Sequence, residues 1–187
     1  MAVIPSRRIQ LKDGTEVVLR CAQESDAPAL LEAVHAIFVD GEGMVIDPDE
    51  FSKTEDQEKV WINAFNDNPR ELLLLAEVGG SIVGNIGFHI AKRRRLAHSG
   101  EFGMSVQPDW RGRGVGNALL GSLIEWASAV KAVEKITLKV RADNPRAIAL
   151  YKKHGFVQSG YAKDAMRLSN GVYVDDITME RFVRSPE

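Results

Sequence analysis

The chain has 187 residues, 44% of them apolar and 27% charged, which fits one soluble globular domain and excludes a disordered chain. Its 24 Lys and Arg nearly balance 26 Asp and Glu, for a net charge of -2, so nucleic-acid binding by bulk charge is excluded and only a local basic patch is left to do it. One cysteine (Cys21) and four scattered histidines (His35, His89, His98, His154) offer no internal disulfide and no zinc spacing, so no metal is expected.

Met1 to Gln10 carries no apolar core of signal-peptide length, and no apolar run approaches the roughly 18 residues of a spanning helix. The expectation is a cytoplasmic protein. Ile9 to Leu19 alternates imperfectly around Asp13-Gly14, a strong turn pair, and reads as a strand or hairpin. Ser25 and Asp26 open a helix whose Ala29, Leu30, Ala33, Val34, Ile37 and Phe38 recur at helical spacing. Gly41 to Gly43 ends it, and Met44 to Ser52 reads as a loop. Thr54, with Gln57 three residues on, fits a capping box. The helix it opens carries Val60, Trp61 and Phe65 on one side and stops at Asp67-Asn68-Pro69.

The period then changes. Leu72 to Val78 and Ser81 to Ile90 are strands about a Gly79-Gly80 turn, and Ala97 to Val106 is a third. Lys92 to Arg95 reads as a solvated hairpin tip or, alternatively, as a nucleic-acid or phosphate patch. Gly114 to Val130 is a long helix burying Val115, Leu119, Leu123, Trp126 or Ala127, and Val130. Lys135 to Arg141 is a strand, Asn144 to His154 a helix and Phe156 to Leu168 an extended segment. Asn170-Gly171 turns into a last strand, Val172 to Phe182. Strands interleaved with helices in this order indicate a mixed α/β sheet domain, with no repeat or linker.

The chemistry concentrates in Gln107 to Asn117, between a strand and the long helix. Gly112, Gly114 and Gly116 let the backbone turn tightly and approach a ligand without a Cβ in the way. The helix behind them supplies unpaired N–H groups and the positive end of its dipole, a cradle for phosphate, with Arg111 and Arg113 as cationic donors. A P-loop is excluded, because no Gly-Lys-Ser/Thr follows the glycines. A dinucleotide fingerprint fits badly, because its third glycine position, counted from Gly112, is Asn117. On the preceding strand, alternation puts Phe102, Met104 and Val106 on one face and Ser99, Glu101, Gly103 and Ser105 on the other. A β-bulge would break that assignment. In the later helix, Asn144 suits the N-cap, Pro145 the first helical position and Gly155 the C′ residue.

Arg111-x-x-Gly114-x-Gly116 resembles the Arg/Gln-x-x-Gly-x-Gly/Ala motif of the GNAT superfamily of N-acetyltransferases. Asn144 to Phe156 is similar to that family's Asn-x-x-Ala-x-x-Leu-Tyr-x-x-x-Gly-Phe segment. Order and spacing agree from about Glu71 to Phe182, and the first 70 residues agree only in layout. The closing residues resemble the bacterial branch near amino-acid and small-amine acetyltransferases. The resemblance implies one acetyltransferase domain over residues 1–187, with residues 1–6 a flexible N-terminus. Its fold would be α/β (α+β), with a mixed, mostly antiparallel sheet of about six to seven strands flanked by about four helices.

It also implies acetyl-coenzyme A as co-substrate. Arg111, Gly112, Arg113, Gly114, Val115, Gly116 and Asn117 would hold the pyrophosphate, and the backbone of Met104, Ser105 and Val106 the pantetheine arm. Asn144, Tyr151 and Lys153 would add cofactor contacts, with Asn144 capping its helix as well. Tyr151 would protonate the leaving thiolate, or else packs on the sheet as an ordinary aromatic. Glu101 would remove a proton from the substrate ammonium, or else only binds a cation. The implied activity is direct acetyl transfer to a primary amine of a small molecule, an amino acid or polyamine-like. The alternatives are a protein N-terminal or lysine acetyltransferase and a non-catalytic acyl-coenzyme A sensor. Glu42 to Phe51, with Glu42, Asp47, Asp49 and Glu50, and Tyr161 to Arg167 are expected to line the acceptor pocket. No nucleic-acid or membrane partner is expected, and exposed strand segments allow a homodimer. Cys21 reads as a small buried residue rather than a nucleophile.

Overall fold

The computed structural model describes residues 4–41 and 47–184. Among the described residues, eight strands form one sheet in the order β1-β2-β3-β4-β5-β6-β8-β7. Asp13-Gly14 does turn the chain, so the first segment makes two antiparallel strands, β1 (Arg7–Gln10) and β2 (Glu16–Cys21). This hairpin is the reason the sheet has eight strands where about six to seven were expected.

The first helix, α1 (Ala27–Asp40), begins after a short 3₁₀ turn, and Gly41 ends it in the left-handed region at φ 69°. Asp26 makes no cap hydrogen bond to the helix. Its carboxylate instead takes Arg20 of β2 at 2.7 Å and the Gln23 amide at 2.7 Å. The capping box at Thr54 forms as the spacing predicts and opens α2 (Glu55–Asp67). Ile62 and Phe65 are buried there, but Val60 is 70% exposed. Asp56 and Ala64, one helical turn to either side of Val60, are exposed as well. The apolar stripe therefore runs through Trp61, Ile62 and Phe65 instead.

Then come β3 (Leu72–Val78), β4 (Ser81–Ile90), β5 (Ser99–Val106), α3 (Val115–Ala129), β6 (Lys135–Arg141), α4 (Pro145–Lys153), β7 (Val157–Arg167) and β8 (Tyr173–Phe182). All strand pairs are antiparallel except β5 with β6. Lys92 to Arg95 lies exposed in the β4–β5 connection.

Alternation along β3 explains the two cores. Leu72, Leu74 and Ala76 join Ile86, Phe88, Phe102 and the buried stripe of α3 on one face. Leu73 and Leu75 join Leu30 and Ala33 of α1 and Ile62 and Phe65 of α2 on the other. Each fully buried Leu adds about 1.5–3 kcal/mol relative to exposure. Val130 only packs partly against the first core, whereas Leu120 and Ile124 are buried in it. Ile4 also packs against this core. Among the described residues, no helix is long and apolar enough to cross a membrane.

Candidate active site

The sheet opens at its centre. β5 and β6 pair only over Ser99–Glu101 opposite Lys135–Thr137, while β4 follows β5 in regular register from Gly100 to Val106. No bulge disturbs β5, so the face assignment stands. Phe102 is buried on the α3 side, with Met104 and Val106 packed partly against the same core, and Glu101 is exposed on the opposite face. Backbone direction also alternates. Gly100 O points toward β6, where it accepts from Thr137 Oγ1 at 3.0 Å, and Gln107 N points toward β4, where it donates to Val83 O at 2.9 Å. By that alternation Met104 and Val106 present their backbone groups to the opening, and Ser105 turns its own to β4. Ser105 can therefore reach a ligand there only through its side chain.

A cleft of about 1410 Å³ fills the opening. Its walls include Glu101 to Val106, the glycine loop, the start of α3, and Asn144, Tyr151 and Lys153. Gly112 and Gly114 hold φ of +76° and +111°, a region that side chains other than glycine rarely adopt. Gly114 precedes α3 with no side-chain cap, and the first amide bonding back is Ala118, to Gly114 O at 3.0 Å. The N–H groups of the first turn are thus left for a ligand. A Cβ on Gly116 would stand 3.3 Å from Leu150 Cδ2 and 3.5 Å from Met104 Cε, so a glycine keeps α3 close to α4 and β5. Val115 is buried in the core, and its side chain does not line the cleft.

Both arginines are anchored. Arg111 donates from Nε to Val106 O at 3.1 Å and pairs with Asp40, at the end of α1, at 2.5 Å. Arg113 binds Asp13 at 2.6 Å and lies over the Trp110 ring at 4.2 Å. The Asp13 carboxyl is pulled down to about 2, first by the Thr15 amide and then by Arg113. These long-range partners brace the loop from β1–β2 and α1. Asn144 caps α4, its Oδ1 accepting from Ala147 N at 3.0 Å. Lys153 and His154 both reach Asn117 Oδ1, each at 3.1 Å, which ties α4 to the first turn of α3.

Tyr151 is 7% exposed, with its ring edge-on to Phe102 at 5.7 Å. Burial pushes its phenol up to about 12. Among the described residues nothing accepts from its hydroxyl, and the side chain lines the cleft. Tyr151 packs on the Phe102 face and Glu101 lies on the other, so the two expected catalytic groups approach the opening from opposite sides of the sheet.

Of the expected acceptor segments, β7 contributes Ala162, Ala165 and Met166 to the cleft, where a register shift between Ala162 and Met166 bends the strand. Asp47, Asp49 and Glu50 do not line it. Glu50 instead accepts from the Asp47 amide at 2.8 Å, and Phe51 packs on Phe38. Glu42 and Met44 lie outside the described residues. The sequence reading missed Trp61, Asn85, His89 and Lys139, which also line the cleft. For His89 a signal existed: it and Glu101 stand equally far from Arg95 along the β4–β5 hairpin, so a symmetric hairpin pairs them. Cys21 is half-buried and burial raises its thiol, as suits an unreactive residue. Among the described residues, no group of three His, Cys, Asp or Glu is placed to hold a metal ion.

Residues 33–156 match the model of the acetyltransferase (GNAT) family. The L-amino acid N-acetyltransferase AaaT of Escherichia coli K12 is 32% identical over 171 residues, covering 89% of this chain and 98% of that protein. A GNAT-family acetyltransferase from Streptococcus pneumoniae superposes with a TM-score of 0.86 at 26% identity, covering 89% of this chain and 99% of that one. The fold of yncA from Salmonella typhimurium, solved with acetyl-coenzyme A, matches with a TM-score of 0.81 at 19% identity over 91% of this chain and 96% of that one. The chain belongs to the GNAT family of acetyltransferases, with acetyl-coenzyme A as its co-substrate.

Proposed function

We propose that this enzyme transfers acetyl directly to a primary amine of a small molecule, an L-amino acid first among candidates, and acts in the cytoplasm. The observation that carries the reading is the opening between β5 and β6, with a carboxylate on one face and a buried phenol on the other. The similarity to AaaT over nearly the whole chain supports an amino acid as acceptor.

The residues present fit the co-substrate. The uncapped start of α3 and the two left-handed glycines leave room for a pyrophosphate close to the backbone, and Gly116 keeps α3 packed on α4 and β5 behind it. Arg113 adds charge at the rim, and Arg111 holds the loop to Val106 and Asp40. The backbone of Met104 and the N–H of Val106, whose carbonyl already accepts from Arg111, would pair with the amides of a pantetheine arm, as an added strand does at a sheet edge. Bound acetyl-coenzyme A supplies an acyl carbon in thioester linkage, where a C–N bond to the amine forms as the C–S bond breaks.

The chain's own residues handle the protons. An alkylamine has a pKa of about 10.4, so it arrives mostly as ammonium and must lose a proton before it can attack. Glu101 holds the ammonium on its face of the opening. Tyr151 keeps its proton at every working pH, because burial holds its phenol near 12, and it offers that proton on the opposite face, where the sulfur departs. No acyl-enzyme is needed, and Cys21 takes no part.

The test is to follow thiol release from acetyl-coenzyme A against amino acids, polyamines, aminoglycosides and peptides, with product masses. The expected result is turnover of a small amine that gains one acetyl group. Modification confined to peptide N-termini or lysines would replace this reading with a protein acetyltransferase. Tight coenzyme binding without thiol release would replace it with a sensor.

A further inference from the structure

A carboxylate and an imidazole pair on the Glu101 face of the sheet. Glu71, just before β3, is 8% exposed, and its Oε2 lies 3.0 Å from Nδ1 of His89 on β4. His89 is directly opposite Glu101 of β5. Directly opposed residues share a face with Cβ atoms about 4.5–5.5 Å apart. Glu71, His89 and Glu101 therefore form a row across three neighbouring strands, buried at one end and open to the cleft at the other.

The imidazole is held on two sides. Its ring stacks on Phe65 of α2 at 4.2 Å between centroids, and Glu71 holds Nδ1. A carboxylate only accepts hydrogen bonds, so Nδ1 carries the hydrogen, and in the neutral imidazole the lone pair is then on Nε2. Both His89 and Glu101 line the cleft, and the His89 side chain is 52% exposed.

We propose that His89 is the general base of the acetyl transfer, with Glu71 as its positioning residue and Glu101 as the anchor of the substrate ammonium. This rests on the acetyltransferase reading above. One N–H proton of the ammonium passes to Nε2, leaving a neutral amine whose lone pair can attack. The imidazolium so formed lies between Glu71, just before β3, and Glu101 of β5, and α2 offers it the Phe65 ring. Its proton then leaves to water through the exposed side of the ring.

The test compares wild type, His89→Gln and Glu71→Gln with two acceptors. One is the best alkylamine substrate. The other is an O-alkyl hydroxylamine, which is already neutral at pH 7 and needs no base. Loss of a general base costs about 10²–10⁴-fold. His89→Gln is expected to lose about 10²-fold or more in kcat with the alkylamine and to stay close to wild type with the hydroxylamine. Glu71→Gln is expected to shift the acid limb of the alkylamine pH–rate profile. Acetyl-coenzyme A affinity and thermal stability of His89→Gln should match wild type. Equal losses with both acceptors, or wild-type rates with both, would overturn the assignment to His89. No turnover by the wild type would overturn the acetyltransferase reading, and this assignment with it.

Discussion

Two glycines three residues apart on β5 give opposite expectations for the same substitution. At Gly100 an added Cβ would stand 2.2 Å from Phe88 Cζ and 2.4 Å from His89 O. Phe88 is fully buried against α3 and Trp126, and His89 O belongs to the backbone of the neighbouring strand. Neither can step aside without opening the β4–β5 ladder. Overpacking of this kind costs about 1–3 kcal/mol where side chains can give, and Gly100→Ala belongs at or above the top of that range. In a chain of this size each kcal/mol moves Tm by roughly 2–4 °C, so a loss of about 6–12 °C is expected. At Gly103 an added Cβ meets nothing within 4 Å. Gly103→Ala should leave Tm unchanged or raise it slightly, since Ala restricts the unfolded chain by about 0.4–1 kcal/mol. Its methyl enters the cleft on the Glu101 face, so the acceptor KM should rise roughly tenfold, the effect of one misplaced methyl in a fitted pocket. Calorimetry and steady-state kinetics on the two variants give both numbers. A Gly103→Ala protein as unstable as Gly100→Ala would refute the face assignment on which the site is built.

Tyr151→Phe should lower kcat by about 10²–10⁴-fold with little change in acetyl-coenzyme A affinity, read by thiol release. The same variant tests the pH linkage. The phenol is raised from 10 in the unfolded chain to about 12 in the fold, so its contribution is whole below pH 10 and is lost as pH rises toward 12. Over that window wild type should lose up to about 1.4 kcal/mol per pH unit more than Tyr151→Phe in denaturant titrations. Asp40→Ala leaves the nearly buried Arg111 without that partner and should cost about 1–3 kcal/mol and raise the acetyl-coenzyme A KM. Val60→Lys should change stability by less than about 0.5 kcal/mol, whereas Ile62→Ala should cost about 2–5 kcal/mol, which checks the phase of α2.

Much of this architecture was legible because local chemistry and tertiary packing agree. The bounds of β3, β4 and β6 fall where the sequence reading put them, since turn pairs or polar breaks flank apolar runs there. Asn144-Pro145 and Gly155 punctuate α4 by capping alone. The glycine loop was legible for a different reason: its conformation admits little but glycine at 112 and 114. What escaped depends on contacts far apart in the chain. Arg111 and Arg113 read as cationic donors to phosphate, but their partners Asp40 and Asp13 sit on distant elements that no local pattern connects to them. Val60 looked like core because its own helix cannot say which side faces the sheet. The Glu71–His89–Glu101 row crosses three strands, so no single segment contains it, and only the register brings it together.

Co-substrate and acceptor are expected to meet where β5 parts from β6, and every role assigned above depends on that meeting point. Amide hydrogen exchange with and without coenzyme A measures it directly. The expected result is added protection at Met104 and Val106 and across Gly112 to Asn117, with Ser105 and the outer strand β7 unchanged. Protection confined to other segments at saturating coenzyme A, or none at all, would contradict it.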